Sequence, residues 1–144
     1  MGSIAEGVSQ FLADTFVLYT KTLNFHWNVV DRRFAMLHAL FEEHYKELAS
    51  ANDDLAEQVR QLGAFPPSTL AEFLKKTQLK EPSGRLSGDE MIRHLVTDHE
   101  ALAKKLPLLI QHCTEAGEEG CGDLLIERLR FHQKAAWMLR SHLE

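Results

Sequence analysis

Apolar positions recur in the first part of the chain at Ile4, Val8, Phe11, Leu18 and Phe25, and Thr15 and Thr22 complete the same stripe. Steps of four and three residues place them on one helical face, which predicts an amphipathic helix ending near Asn28. Phe34, Leu37, Phe41, His44, Leu48, Ala51, Leu55, Val59 and Leu62 continue the rhythm in a second helix. Gly63 closes it, with Pro66 and Pro67 beyond. Thr69 and Glu72 are spaced as a capping box and open a short helix, "TLAEFLKKT"; Ser87 and Glu90 repeat the device ahead of a third long helix. That helix carries Met91, Leu95, Leu102, Leu106, Leu109 and Cys113, and Pro107 inside it predicts a kink. Gly117 and Gly120 break the chain. A last helix is predicted over roughly Gly122–Leu143, on Leu125, Leu129, Ala136, Leu139 and Leu143. No segment reads as a strand.

Four long helices and one short one predict an all-α four-helix bundle, in one domain spanning residues 1–144. The link between the second and third long helices is about 25 residues, enough to cross the bundle, which favours the ferritin-like crossover topology with a short extra helix in the connection.

Charge narrows the partners. Charged residues make up 26% of the chain and the net charge is −5. Such a surface does not attract DNA or anionic membrane through its overall field; small cations are the natural partners. The first twenty residues lack a basic leader and Asp14 interrupts their apolar stretch, so they read as neither signal peptide nor membrane span. Cys113 and Cys121 form no Cys-x-x-Cys pair and no disulfide framework, which points to a reducing, cytoplasmic compartment. Cys113 reads as a small buried hydrophobe.

The candidate chemistry is metal binding. His26 and His38 are followed by Asp53 and Glu57, all ligand types. None of the eight histidines has Glu three residues before it, which argues against a di-iron centre of the Glu-x-x-His kind within one bundle. On the second helix the apolar stripe is centred about 90° to one side of His38, whereas Asp53 and Glu57 fall about 60° and 100° to the other. His38 and Asp53 are also about 22 Å apart along the axis. One straight helix cannot bring them to one ion. A second copy can: two such helices, antiparallel across a two-fold axis near Tyr45 or Lys46, place His38 of one against Asp53 and Glu57 of the other. His26 reaches His38 across the turn between helices. The result is two sites per dimer, each of two imidazoles and two carboxylates, a donor set that suits iron, zinc or manganese. His38 with Glu42, and His94 with Asp98, read as surface pairs.

The segments "NFHWNV", "LHALFEEHYKEL" and "DDLAEQVRQLG", with "LAEFL", "DHEAL" and "KAAWMLR" further on, resemble the Dps (DNA-binding protein from starved cells) family of mini-ferritins over nearly the whole chain. The turn after "HWNV" departs from the family's usual Gly-Pro or Gly-Asn and reads "VDRR". The resemblance implies a hollow dodecameric shell. It implies Fe(II) oxidation, preferentially by hydrogen peroxide, at interface positions matching His26, His38, Asp53 and Glu57, with Fe(III) mineral stored inside. Iron occupancy of one or two ions stays open, as does zinc in its place. Trp27 is implied beside the site, as an electron donor or radical trap or as an ordinary interface aromatic; Tyr45 reads as packing. Glu118, Glu119, Asp123 and Glu127 cluster at the start of the last helix. They either complement the helix dipole or line an acidic pore of the kind family members have, with Asp123 foremost. DNA compaction is the rival function. Yet the first lysine is Lys21, inside helix one, and "RSHLE" ends the chain without a basic extension. A dodecamer at −5 per chain would carry about −60, so no tight DNA binding is expected. A shell that sequesters metal without oxidising it is the third reading.

Overall fold

A computed structural model describes residues 3–144. Five helices follow in order: α1 (Ile4–Asn28), α2 (Phe34–Gln61), α3 (Leu70–Lys76), α4 (Gly88–Glu115) and α5 (Glu119–Arg140). Three of the five starts carry a side-chain cap. The Ser3 hydroxyl accepts the Glu6 N–H and caps α1. Thr69 with Glu72, and Ser87 with Glu90, form the two capping boxes expected for α3 and α4. Gly63, at φ 90°, ends α2 in the left-handed conformation that glycine adopts without steric cost.

The contacts fix the direction of every long helix. Phe25 meets Phe41 and Tyr19 meets Tyr45, so α1 and α2 are antiparallel. Lys21 pairs with Asp98 and Asp14 with Lys105, so α1 and α4 are antiparallel too. It follows that α2 and α4 run parallel, which only a chain crossing the length of the bundle between them can achieve. Cys113 against Gly122 and His99 against His132 make α5 antiparallel to α4. The bundle is therefore of the crossover kind, as its connection length predicts.

Asp14 pins the crossover. Its carboxylate, fully buried, accepts from the Thr77 hydroxyl, the Gln78 N–H, the Gln10 amide and Lys105 Nζ. The turn between α1 and α2 is held as firmly. Asp31 accepts from the Arg33 backbone and guanidinium, and Arg33 reaches on to Asp89 of α4 and the His142 carbonyl. Asp31 also lies against Gly88, where a Cβ would collide with it. The Arg33 hydrogen bonds hold the Asp31 carboxyl down at about 2.

The core is continuous, from Val8, Phe11 and Leu18 through Phe25, Phe41, Leu48 and Leu55 to Ile92, Leu95, Leu102, Leu106 and Leu125. Cys113 and Cys121 are buried within it, with free thiols. Two expectations need correction. Asp98 is no surface residue: it is buried and ion-paired to Lys21 at 2.6 Å, a partner 77 positions away that helical spacing does not reveal. The last helix starts and ends about three residues earlier than predicted. Gly120 does not break the chain; it lies in the first turn, where N–H groups lack an intrahelical partner anyway. α4 is helical throughout, Pro107 included. Among the described residues no helix is long and apolar enough to cross a membrane.

Candidate metal centre

His26 lies in the last turn of α1 and His38 in the second turn of α2, and the two rings lock each other. His26 Nδ1 bonds the His38 carbonyl at 2.8 Å, and His38 Nδ1 bonds the His26 carbonyl at 2.7 Å. A carbonyl only accepts, so each Nδ1 carries the hydrogen, and in the neutral ring Nε2 is the nitrogen with the free lone pair. The His26 carbonyl is one of those a helix end leaves over, and His38 satisfies it. The rings stack with centroids 3.8 Å apart and planes 15° from parallel. Phe34 covers the outer face of His38 at 4.9 Å, and Tyr45 meets His26 edge-on at 5.1 Å. Both imidazoles are thus fixed in tautomer and direction, which is what backbone carbonyls do for metal-binding histidines.

Glu42 joins them. Its Oε1 is 3.9 Å from His26 Nε2. His26, His38 and Glu42 each present a ligand atom within 4.8 Å of the other two. The hydrogen bond from Lys46, at 2.6 Å, lowers the pKa of Glu42, which keeps it an anion. Spacing alone treats Glu42 as a surface partner of His38. The missed signal is that residues 38 and 42 share a face with the end of α1.

Asp53 and Glu57 stand elsewhere. With Asp54 they form a second group, fully exposed, whose ligand atoms also lie within 4.8 Å of one another. Among the described residues these are the only two groups of three or more such side chains. Within one chain the structure brings His26 to His38 and Asp53 to Glu57, but not one pair to the other. The Nε2 lone pairs and the carboxylates are two open half-sites on the same exposed side of α2.

Around the first half-site the surface is apolar. Trp27 is 66% exposed, and Val30, Phe34 and Met36 are exposed beside it; Phe65, just past the far end of α2, is 81% exposed and stacks under Arg60. Clustered apolar exposure of this kind marks a surface that is covered in the working state. Glu118, Glu119, Asp123 and Glu127 are all exposed along the start of α5, and no three of them converge.

Comparisons with known proteins agree with this architecture. The ferritin-like domain family matches residues 6–144. An uncharacterised low-temperature-induced protein of Nostoc sp. (strain PCC 7120) is 40% identical over 95% of this chain and 78% of its own. A DNA protection during starvation protein of Brevibacillus brevis is 37% identical over 98% of this chain and 95% of its own. The crystal structure of a Dps protein from Vibrio cholerae O1, described as a member of a broad superfamily of ferritin-like diiron-carboxylate proteins, superposes with a TM-score of 0.93. It is 32% identical and covers 98% of this chain and 89% of its own.

Proposed function

Because this chain belongs to the Dps mini-ferritins of the ferritin-like family, we propose that it oxidises Fe(II) at sites completed between two copies and stores the Fe(III) product in a hollow shell. The observation that carries this reading is the pair of half-sites on α2. One offers two oriented imidazole nitrogens beside Glu42, the other a set of exposed carboxylates, and each supplies the donor type that the other lacks or is short of. Two copies packed antiparallel through α2 near Tyr45 bring His26, His38 and Glu42 of one to Asp53 and Glu57 of the other. The same register carries Trp27, Val30 and Met36 onto the far end of the second copy's α2, where Phe65 is exposed, so the dimer also buries the apolar patch.

The chemistry follows from the donors. Neutral imidazoles bind Fe(II) without repelling it. The carboxylates match the extra positive charge that appears on oxidation, and so favour Fe(III) over Fe(II). Two Fe(II) ions each give one electron to hydrogen peroxide; its O–O bond breaks and two hydroxides result. Peroxide as the preferred oxidant, a dodecameric assembly and a cytoplasmic setting belong to this reading. Trp27, adjoining His26, is the side chain placed to supply or intercept an electron. Asp123, with Glu118, Glu119 and Glu127 around it, draws Fe(II) toward an entry pore. Zinc competes for the same nitrogen–oxygen donor set.

The test is rapid mixing of Fe(II) with peroxide or with dioxygen, followed by the absorbance of Fe(III). The His38→Ala/Asp53→Ala variant assembles to the same mass in solution but loses fast peroxide-driven oxidation. Oxidation at the wild-type rate in that variant would refute the site.

A further inference from the structure

A second set of ligand-type side chains lies in the bundle core, away from the exposed side of α2. His44 of α2, His99 of α4 and His132 of α5 surround Phe131. His99 and His132 are fully buried, and their Nδ1 atoms face each other at 2.8 Å. His44 packs edge-on to His99, with centroids 5.9 Å apart. One hydrogen serves the facing pair, so one ring donates and the other accepts. The remaining nitrogens, His99 Nε2 and His132 Nε2, are buried with no partner, as is His44 Nδ1. Buried polar atoms are rarely left so, and here three meet in one layer. Burial holds both facing imidazoles neutral, with their pKa well below the ordinary value.

Moving the shared hydrogen to Nε2 leaves two bare Nδ1 lone pairs aimed at one point, with no net release of protons. We propose that the facing Nδ1 atoms of His99 and His132 form a buried two-coordinate site for a monovalent transition-metal cation, copper(I). The charge of the pocket selects the valence. No carboxylate joins the pair. The full charge that acts on both rings is that of Arg128, itself bound to Glu47 at 2.5 and 2.9 Å, and its sign weighs further against a doubly charged ion. A divalent ion there would keep its charge uncompensated in a low-dielectric core, which is costly. Zinc also asks for four ligands, whereas no third donor closes on these two within the reach that defines the half-sites on α2. Imidazole suits copper. Two metal–nitrogen bonds in line span about 4 Å, so the rings must part by about 1 Å. Neither Nε2 is hydrogen-bonded, so that rotation breaks no bond other than the one the cation replaces.

The proposal is tested by anaerobic titration of the assembled protein with copper(I) against a chromogenic chelator, with X-ray absorption to identify the bound atoms. The background carries His38→Ala/Asp53→Ala and Cys113→Ala/Cys121→Ala, so that neither the α2 half-sites nor the thiols bind. The expected result is one tightly held copper(I) per chain with nitrogen neighbours only. His99→Leu and His132→Leu should each weaken retention at least about tenfold, with helicity and assembly mass unchanged, because leucine is of similar volume and fills the buried position. Should the fourfold background not assemble, the otherwise native chain is compared with its His132→Leu variant, and the copper(I) bound must fall by one per chain. Equal copper affinity with and without the two histidines, or sulfur or carboxylate neighbours in the background chain, overturns the site.

Discussion

At the scale of single residues, the orientation of His26 and His38 by each other's carbonyls governs what the centre can do. The two Nδ1 bonds fix both tautomers before any ion arrives, so little reorganisation accompanies binding. Glu42→Gln keeps the shape and removes the charge. It should weaken anaerobic Fe(II) binding about 10-fold, read by calorimetry, while leaving assembly intact; undiminished affinity would show that Glu42 is only the partner of Lys46. His26 and His38 were legible in the sequence as ligand types, and the wheel set Asp53 and Glu57 off the core face. Glu42 was not, because its spacing from His38 is that of an ordinary helix-surface pair, and its approach to His26 depends on how α1 packs on α2. Asp98 escaped for a similar reason. Its burial depends on Lys21 of another helix, and residue spacing within α4 carries no trace of that.

Among the elements, periodicity and capping carried most of the fold. Both capping boxes, the glycine stop of α2 and the length of the crossover were readable, because each is a local pattern with a local cause. The start of α5 was not. Gly117 and Gly120 read as breakers, yet the tight turn through Gly117, at φ 75°, completes the reversal by itself and leaves Gly120 in the helix. What holds the elements together is less local. Asp14→Ala strips one buried carboxylate from α1, α4 and the crossover at once. It should cost about 3 kcal/mol, measured by chemical denaturation. A loss within a few tenths of a kcal/mol would mean that the crossover is held by α3 packing alone.

The same core sets a pH limit. Burial lowers the His44 pKa to about 4 and holds those of His99 and His132 well below the ordinary 6.5. Above pH 6.5 all three are neutral whether folded or unfolded and the linkage vanishes. As pH falls through 6.5 the unfolded chain takes up protons that the folded core refuses, so stability declines from there toward pH 4. For His44 alone the full loss is about 3 kcal/mol. Melting temperature should therefore drop between pH 7 and pH 5, and drop less in His132→Leu; an identical fall in both would clear the histidines.

For the whole molecule, charge decides the company the protein keeps. The net charge of −5 per chain multiplies in any assembly and repels a polyanion. No retardation of duplex DNA is expected in a gel at physiological salt; a shifted band would reinstate DNA compaction as a function. The same sign of charge attracts Fe(II). Asp123→Asn should slow iron uptake by up to about tenfold at low salt, with the difference shrinking as salt rises; salt-independent, unchanged kinetics would leave the acids of α5 as dipole partners only. That His38 and Asp53 of one chain do not meet was legible in the sequence, because about 22 Å of helix separates them, and the structure keeps the two groups apart. The size of the shell is not a property of any one helix, and it enters through the family.

The central claim, that each centre draws its nitrogens from one chain and Asp53 and Glu57 from another, has a direct test in complementation. Chains carrying His38→Ala alone and chains carrying Asp53→Ala alone are co-assembled in equal amounts, and peroxide-driven iron oxidation is measured. Random pairing restores about a quarter of the sites, because every mixed dimer holds one intact centre and one doubly altered one. Activity near that fraction, from two parents that are each inactive, is the predicted result. Mixed shells as inactive as their parents would place all the ligands on one chain and contradict the account.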